Sequence, residues 1–204
     1  MEHSEKTIFI TGAFIITIVI LAGAFYLFQQ SQPIPSGAQF TIYDDEAHNY
    51  DTSGWMGDIE GITFDPASSE NPKSGTYCQK WSYDPLMGRA QGWAGIYWQE
   101  PANNWGDVKG GYNLNKFSKL KFWARGERGG EKIEFFLGGI MGKYGDSLDK
   151  TSSGTLTLTE FWREYEIDLT RANLSRVVGG FGWTANRNEN PRGCTFYLDE
   201  IRFE

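Results

Sequence analysis

The chain has 204 residues, 40% hydrophobic and 22% charged, with 26 acids against 19 bases. That balance excludes a disordered tail, a collagenous repeat and a small disulfide scaffold. The net charge of −7 argues against a nucleic-acid partner, which needs a concentrated basic face. Only two histidines, His3 and His48, and two cysteines are present, too few for His-based catalysis or a Cys-rich zinc site. With 16% aromatics and 25 glycines, the chain reads as a β-rich domain.

In chain order, the first element is Ile8 to Phe28, an uncharged apolar run. As a helix its roughly 21 residues span about 31 Å, the thickness of one hydrocarbon core. Residues 1–29 are therefore expected to be a cytoplasmic tip and a single transmembrane helix. Lys6 precedes the run and no Lys or Arg follows until Lys73, which places the remainder outside the membrane. The alternative is a secreted protein cleaved at Ala22-Gly23-Ala24. Apolar residues resume at Phe25, and Glu2 and Glu5 stand before the run, both of which favour an uncleaved anchor.

Residues 30–37 form a Pro/Ser/Gly linker, and residues 38–204 hold every Trp. Period-two alternation marks strands at Phe40–Asp44, Tyr77–Tyr83, Trp93–Gln99, Leu120–Arg125, Lys132–Leu137, Thr155–Leu158, Arg163–Leu169, Val177–Ala185 and Thr195–Phe203. Trp55 and Asp58 fall in a glycine-bearing loop. No sustained helical stripe follows the anchor, so the domain is all-β, a β-sandwich or jelly roll. In Trp93–Gln99 the residues Ala94, Ile96 and Trp98 share one face, opposite Trp93, Tyr97 and Gln99. In Lys132–Leu137 the residues Ile133, Phe135 and Leu137 oppose Glu134 and Phe136. A second face mixing aromatics with polar groups is not an ordinary solvent face.

The last strand carries an irregularity. Phe196 and Leu198 share a parity that Ile201 and Phe203 do not, so a bulge near Asp199–Glu200 is expected to restore one apolar face. On Arg163–Leu169, Glu164, Glu166 and Asp168 share one side against Tyr165, Ile167 and Leu169, which reads as a solvated polar face. Glu166-Ile-Asp-Leu resembles the start of the E-I-D-x-E pattern of laminarinase-like glycosidases, but Thr170 and Arg171 stand where its second glutamate belongs. His48 has no nucleophile motif beside it, so no enzyme is expected.

The segments SGWMGD (Ser53–Asp58), GWAGIYWQ (Gly92–Gln99), NNWG (Asn103–Gly106), GGYNL (Gly110–Leu114), KLKFWARGERGGE (Lys119–Glu131) and CTFYLDEIRFE (Cys194–Glu204) resemble β-jelly-roll domains of the carbohydrate-binding-module, galactose-binding-like type. The resemblance spans about Phe40 to Glu204 and implies a membrane-anchored, non-catalytic domain that binds a poly- or oligosaccharide. A pyranose has an apolar C–H face that meets an indole or phenol, and a rim of hydroxyls that meets amides and carboxylates. The expected ligand-binding residues are Trp55, Asp58, Trp93, Tyr97, Gln99, Asn103, Asn104, Trp105 and Trp183. Packing in the core is the competing role for each Trp, above all for Trp98. The alternative function is a structural or assembly subunit that docks a protein partner at the cell surface.

The resemblance also implies a structural Ca²⁺ where the first strand, a following loop and the last strand meet. Asp45 and Asp199 are the expected ligands, completed by carbonyls between Glu70 and Gly75. In such a jelly roll an early strand and the last strand lie close together, so a disulfide between Cys78 and Cys194 is expected in an oxidising exterior.

Overall fold

The alternating segments pair into two antiparallel sheets whose apolar sides face each other. The computed structural model describes residues 39–46, 48–87 and 91–204. The expected anchor, Ile8 to Phe28, and the linker at residues 30–37 lie outside the described residues. Among the described residues no helix is long and apolar enough to cross a membrane.

Among the described residues eleven strands form in chain order: β1 (Phe40–Tyr43), β2 (Asp51–Gly57), β3 (Ile62–Ser68), β4 (Cys78–Tyr83), β5 (Trp93–Gln99), β6 (Lys119–Gly126), β7 (Lys132–Leu137), β8 (Thr151–Thr157), β9 (Arg163–Asp168), β10 (Gly179–Asn186) and β11 (Cys194–Phe203). One turn of 3-10 helix, Ile59–Gly61, joins β2 to β3. The six-stranded sheet runs β3-β4-β11-β6-β9, with β1 also on β11; the five-stranded sheet runs β2-β5-β10-β7-β8.

β2 and β3 fold where the sequence pattern reads as loop. Each carries a register shift, between Thr52 and Gly54 in β2 and between Asp65 and Ser68 in β3, and a shift breaks the alternation that marks a strand. β3 also contains Pro66, tolerated because this strand stands at the sheet edge.

The core lies between the sheets and is aromatic. Trp81 sits 5.6 Å from Trp98 and 5.3 Å from Trp183, both edge-on, and Phe64 stacks on it at 3.8 Å. Trp98 is buried, as its parity requires. Each such side chain contributes on the order of 1.5–3 kcal/mol through burial.

The bulge in β11 is present. Its register against β6 shifts between Asp199 and Arg202, and Glu200 takes φ 47°. Phe196, Leu198, Ile201 and Phe203 all reach the core as a result. The bulge also divides the strand between partners: Cys194–Leu198 pair with β4, whereas Ile201–Phe203 pair with β1.

On β9 the alternation holds. Ile167 is buried while Glu164 and Glu166 face solvent, bonded to Arg202 and Lys119 at 2.7 and 2.9 Å. Exposed pairs of this kind are worth little individually.

The two cysteines lie on neighbouring strands, yet they cannot meet. Cys194 stands opposite Tyr83, five positions along β4 from Cys78. At roughly 3.3 Å per residue that offset is about 17 Å, far beyond the ~7 Å limit for a bridge. Both thiols are free and buried, and burial pushes each up to about 12. The expected disulfide is therefore replaced by two small apolar packing groups.

Candidate functional site

The outer face of the five-stranded sheet is set by the parity of its strands. Register places Ala94, Ile96 and Trp98 of β5 opposite Ala185, Trp183 and Phe181 of β10, and all six belong to the core. The alternate positions, Trp93, Gly95 and Tyr97, therefore look outward, opposite Asn186, Thr184 and Gly182. Phe136 of β7 pairs with Gly182 and joins the same face.

A groove of about 510 Å³ crosses this face. Met56, Trp93, Tyr97 and Phe136 supply its apolar surface; Gln91, Thr184, Asn186 and Asn188 supply amides and a hydroxyl, and Lys150 a charge. It runs from β2 to the start of β8, four strand spacings, or about 19 Å. Gly182 keeps the floor open: a Cβ there would lie 2.6 Å from the Phe136 ring.

Tyr97 is mostly covered. Its hydroxyl donates to the Gly138 carbonyl at 2.8 Å, and its ring meets Phe136 edge-on at 4.9 Å. Burial lifts its phenol well above the ordinary range, so it stays neutral. Trp105 stands against Tyr97 at 5.9 Å and is 43% exposed. Lys150 bonds Glu134 at 2.9 Å and sits 4.3 Å from the Phe136 ring centre. Burial works to raise Glu134, but hydrogen bonds from Ser152 and Lys150 outweigh it and hold the carboxyl below its usual range.

The other expected ligand residues take different places. Gln99 and Asn104 are fully buried. Gln99 Nε2 donates to the Asn104 carbonyl at 3.0 Å, and Gln99 Oε1 accepts from Ser53 at 3.0 Å. Asn104 Oδ1 accepts from the amides of Gly106 and Val108, and its Nδ2 donates to the Val108 carbonyl. Asn103 is exposed at φ 59°, with its amide donating to Ser53 Oγ. These residues build the loop that carries Trp105.

Asp58 is buried, and its carboxylate accepts from the amides of Gln91 and Gly92 at 2.9 and 2.8 Å. It thus fixes the turn before Trp93. Trp55 lies opposite Ile96, on the inner side of edge strand β2, 6.1 Å from Trp81 and 40% exposed. Trp183 is fully buried against Trp81 and Phe196, so its glycine neighbours open no room above it.

The expected ligand-binding residues do not include Met56, Gln91, Phe136, Lys150, Thr184, Asn186 or Asn188. For Phe136 the signal was its outward parity in a strand whose other face is apolar. For Thr184 and Asn186 only the register of β10 on β5 carries the information.

Asp45 and Asp199 are held by amides. Asp199 is 1% exposed and accepts from Lys73 and Ser74 at 2.9 and 3.3 Å and from Glu200 at 2.9 Å. Burial pushes its carboxyl up to about 6 despite those donors. Asp45 accepts from the amides of Thr76 and Tyr77. The two carboxylates therefore clamp residues 73–77 through N–H groups, whereas calcium requires six to eight oxygens. Among the described residues no group of three or more His, Cys, Asp or Glu side chains gathers to hold a metal. This donor set does not fit the expected Ca²⁺.

No protein-family model and no curated protein sequence matches the chain. Solved structures do. A family 30 carbohydrate-binding module is similar at 13% identity with a TM-score of 0.59, over 82% of this chain and 98% of that one. A family 30 module of a Clostridium thermocellum cellulosomal cellulase is similar at 14% identity with a TM-score of 0.52, over 82% and 97%. A family 11 module from Clostridium thermocellum, in complex with a β-1,3-1,4-mixed-linked tetrasaccharide, is similar at 13% identity with a TM-score of 0.50, over 81% and 94%. At such identities the likeness is one of fold: the described domain has the two-sheet jelly-roll architecture of carbohydrate-binding modules.

Proposed function

We propose that the domain is a non-catalytic sugar-binding module that holds a linear oligo- or polysaccharide across the outer face of the five-stranded sheet. The observation that carries this reading is the groove itself, where Trp93 stands among Gln91, Thr184, Asn186 and Asn188. An indole face and a group of three amides and a hydroxyl match the two chemical surfaces of a pyranose. The tetrasaccharide on the family 11 module supports a ligand of this class. In the full chain the apolar run at residues 8–28 anchors the module to a membrane and holds it on the outer side.

Affinity electrophoresis of the detergent-solubilised full chain through mixed-linked β-glucan, xyloglucan, glucomannan and galactan tests the reading. Retardation by at least one polymer is expected, reduced at least about tenfold, or ~1.4 kcal/mol, in Trp93→Ala. Unretarded migration in every polymer overturns it. So does a co-purifying protein that needs the same Trp93 surface.

A further inference from the structure

The loop between β9 and β10 carries Asn173-Leu174-Ser175, the one Asn-x-Ser/Thr acceptor pattern without proline in the whole sequence. Asn173 and Ser175 are exposed, whereas Leu174 between them is 1% exposed and packs into the core. The backbone here is anchored. The Leu174 amide donates to Asn115 Oδ1 at 2.9 Å, and its carbonyl accepts from the Leu114 amide at 2.8 Å. Ser147 Oγ donates to the Asn173 carbonyl at 2.6 Å. Asn173 Oδ1 accepts from the Ser175 amide at 3.1 Å, an Asx turn that joins the first and third residues of the pattern. That bond occupies the oxygen and leaves Nδ2, on an exposed side chain, as the free branch of the amide.

We infer that Asn173 is an N-glycan acceptor, modified from a polyprenyl-(pyro)phosphate-linked oligosaccharide. In the transfer Nδ2 attacks C1 of the first sugar. The Nδ2–C1 bond forms as the C1–O bond to phosphate breaks, the lipid phosphate leaves with that electron pair, and the transferase takes one proton from the nitrogen. An attached glycan leaves the groove intact, because none of these residues lines it. The inference rests on the outward orientation proposed above, since the lipid-linked donor is used on that side of the membrane.

Translation of the full chain into eukaryotic microsomes tests it, with Lys116→Asn as the control. That substitution completes a second acceptor with Phe117 and Ser118 at an exposed position. The expected result is one mobility step in the wild type, removed by peptide N-glycosidase. The step should be absent in Asn173→Gln and Ser175→Ala, retained in Ser175→Thr, and doubled in Lys116→Asn. A control that gains a step while the wild type has none overturns the acceptor assignment alone. If neither chain is modified, the outward orientation fails and the acceptor fails with it.

Discussion

The Trp105 indole stands at 88° to the Tyr97 ring, their centroids 5.9 Å apart, at the side of the groove. Tyr97 is fixed from behind by its bond to Gly138, and Trp105 by the buried amides of Gln99 and Asn104. The amides that would serve as sugar ligands in a sequence reading thus act one step away, on the loop that presents an aromatic.

Removing the aromatic and removing its support should have different signatures. Trp105→Ala should weaken retention in the sugar polymer and lower the melting temperature less than a substitution in the sealed core, because the side chain is 43% exposed. Gln99→Ala removes one of the Ser53 hydroxyl's bonds and leaves the buried Asn104 carbonyl without its donor, at about 1–3 kcal/mol. That corresponds to a fall of several degrees by thermal melting. Equal melting temperatures for Gln99→Ala and wild type would remove the scaffold role of Gln99.

The register of β4 on β11 predicts two free thiols. Denatured, unreduced protein should titrate with two equivalents of Ellman's reagent, and dithiothreitol should leave the melting temperature unchanged. Zero thiols in the monomer would require a β11 register different from the observed one.

Metal removal offers a third check. Because amides already satisfy Asp45 and Asp199, EDTA should not lower the melting temperature, and millimolar CaCl₂ should not raise it. A calcium-dependent shift of several degrees would mean that residues 73–77 turn carbonyls inward when the ion is present.

Asp146 supplies a pH dependence. Burial raises its carboxyl above the ordinary Asp range, although the amides of Ile140, Val178 and Gly179 donate to it. With the folded pKa above the unfolded one, the unfolded chain ionises first as pH rises. The penalty on the folded state therefore grows upward through the window that starts in the ordinary carboxylate range. The melting temperature of wild type relative to Asp146→Asn should accordingly fall between pH 4 and pH 7. A difference that rises or stays flat over that interval contradicts the burial argument.

Local periodicity by itself determined much of this molecule. The alternation in Trp93–Gln99 and Lys132–Leu137 assigned faces that the structure keeps, because a strand's side chains have a period of two wherever its backbone is regular. The broken parity of β11 announced its bulge for the same reason. Trp93 and Tyr97 were legible as outward aromatics. Only the tertiary structure decided what depends on pairing. Bulges hid β2 and β3, since one extra residue inverts the alternation. Register, which no local pattern encodes, set Cys194 opposite Tyr83 instead of Cys78, turned Trp183 into the core, and brought Thr184 and Asn186 beside Trp93. Burial then gave Asp58, Gln99 and Asn104 their part: a polar side chain sealed from water must bond to the protein, and these three bond the backbone that frames the groove.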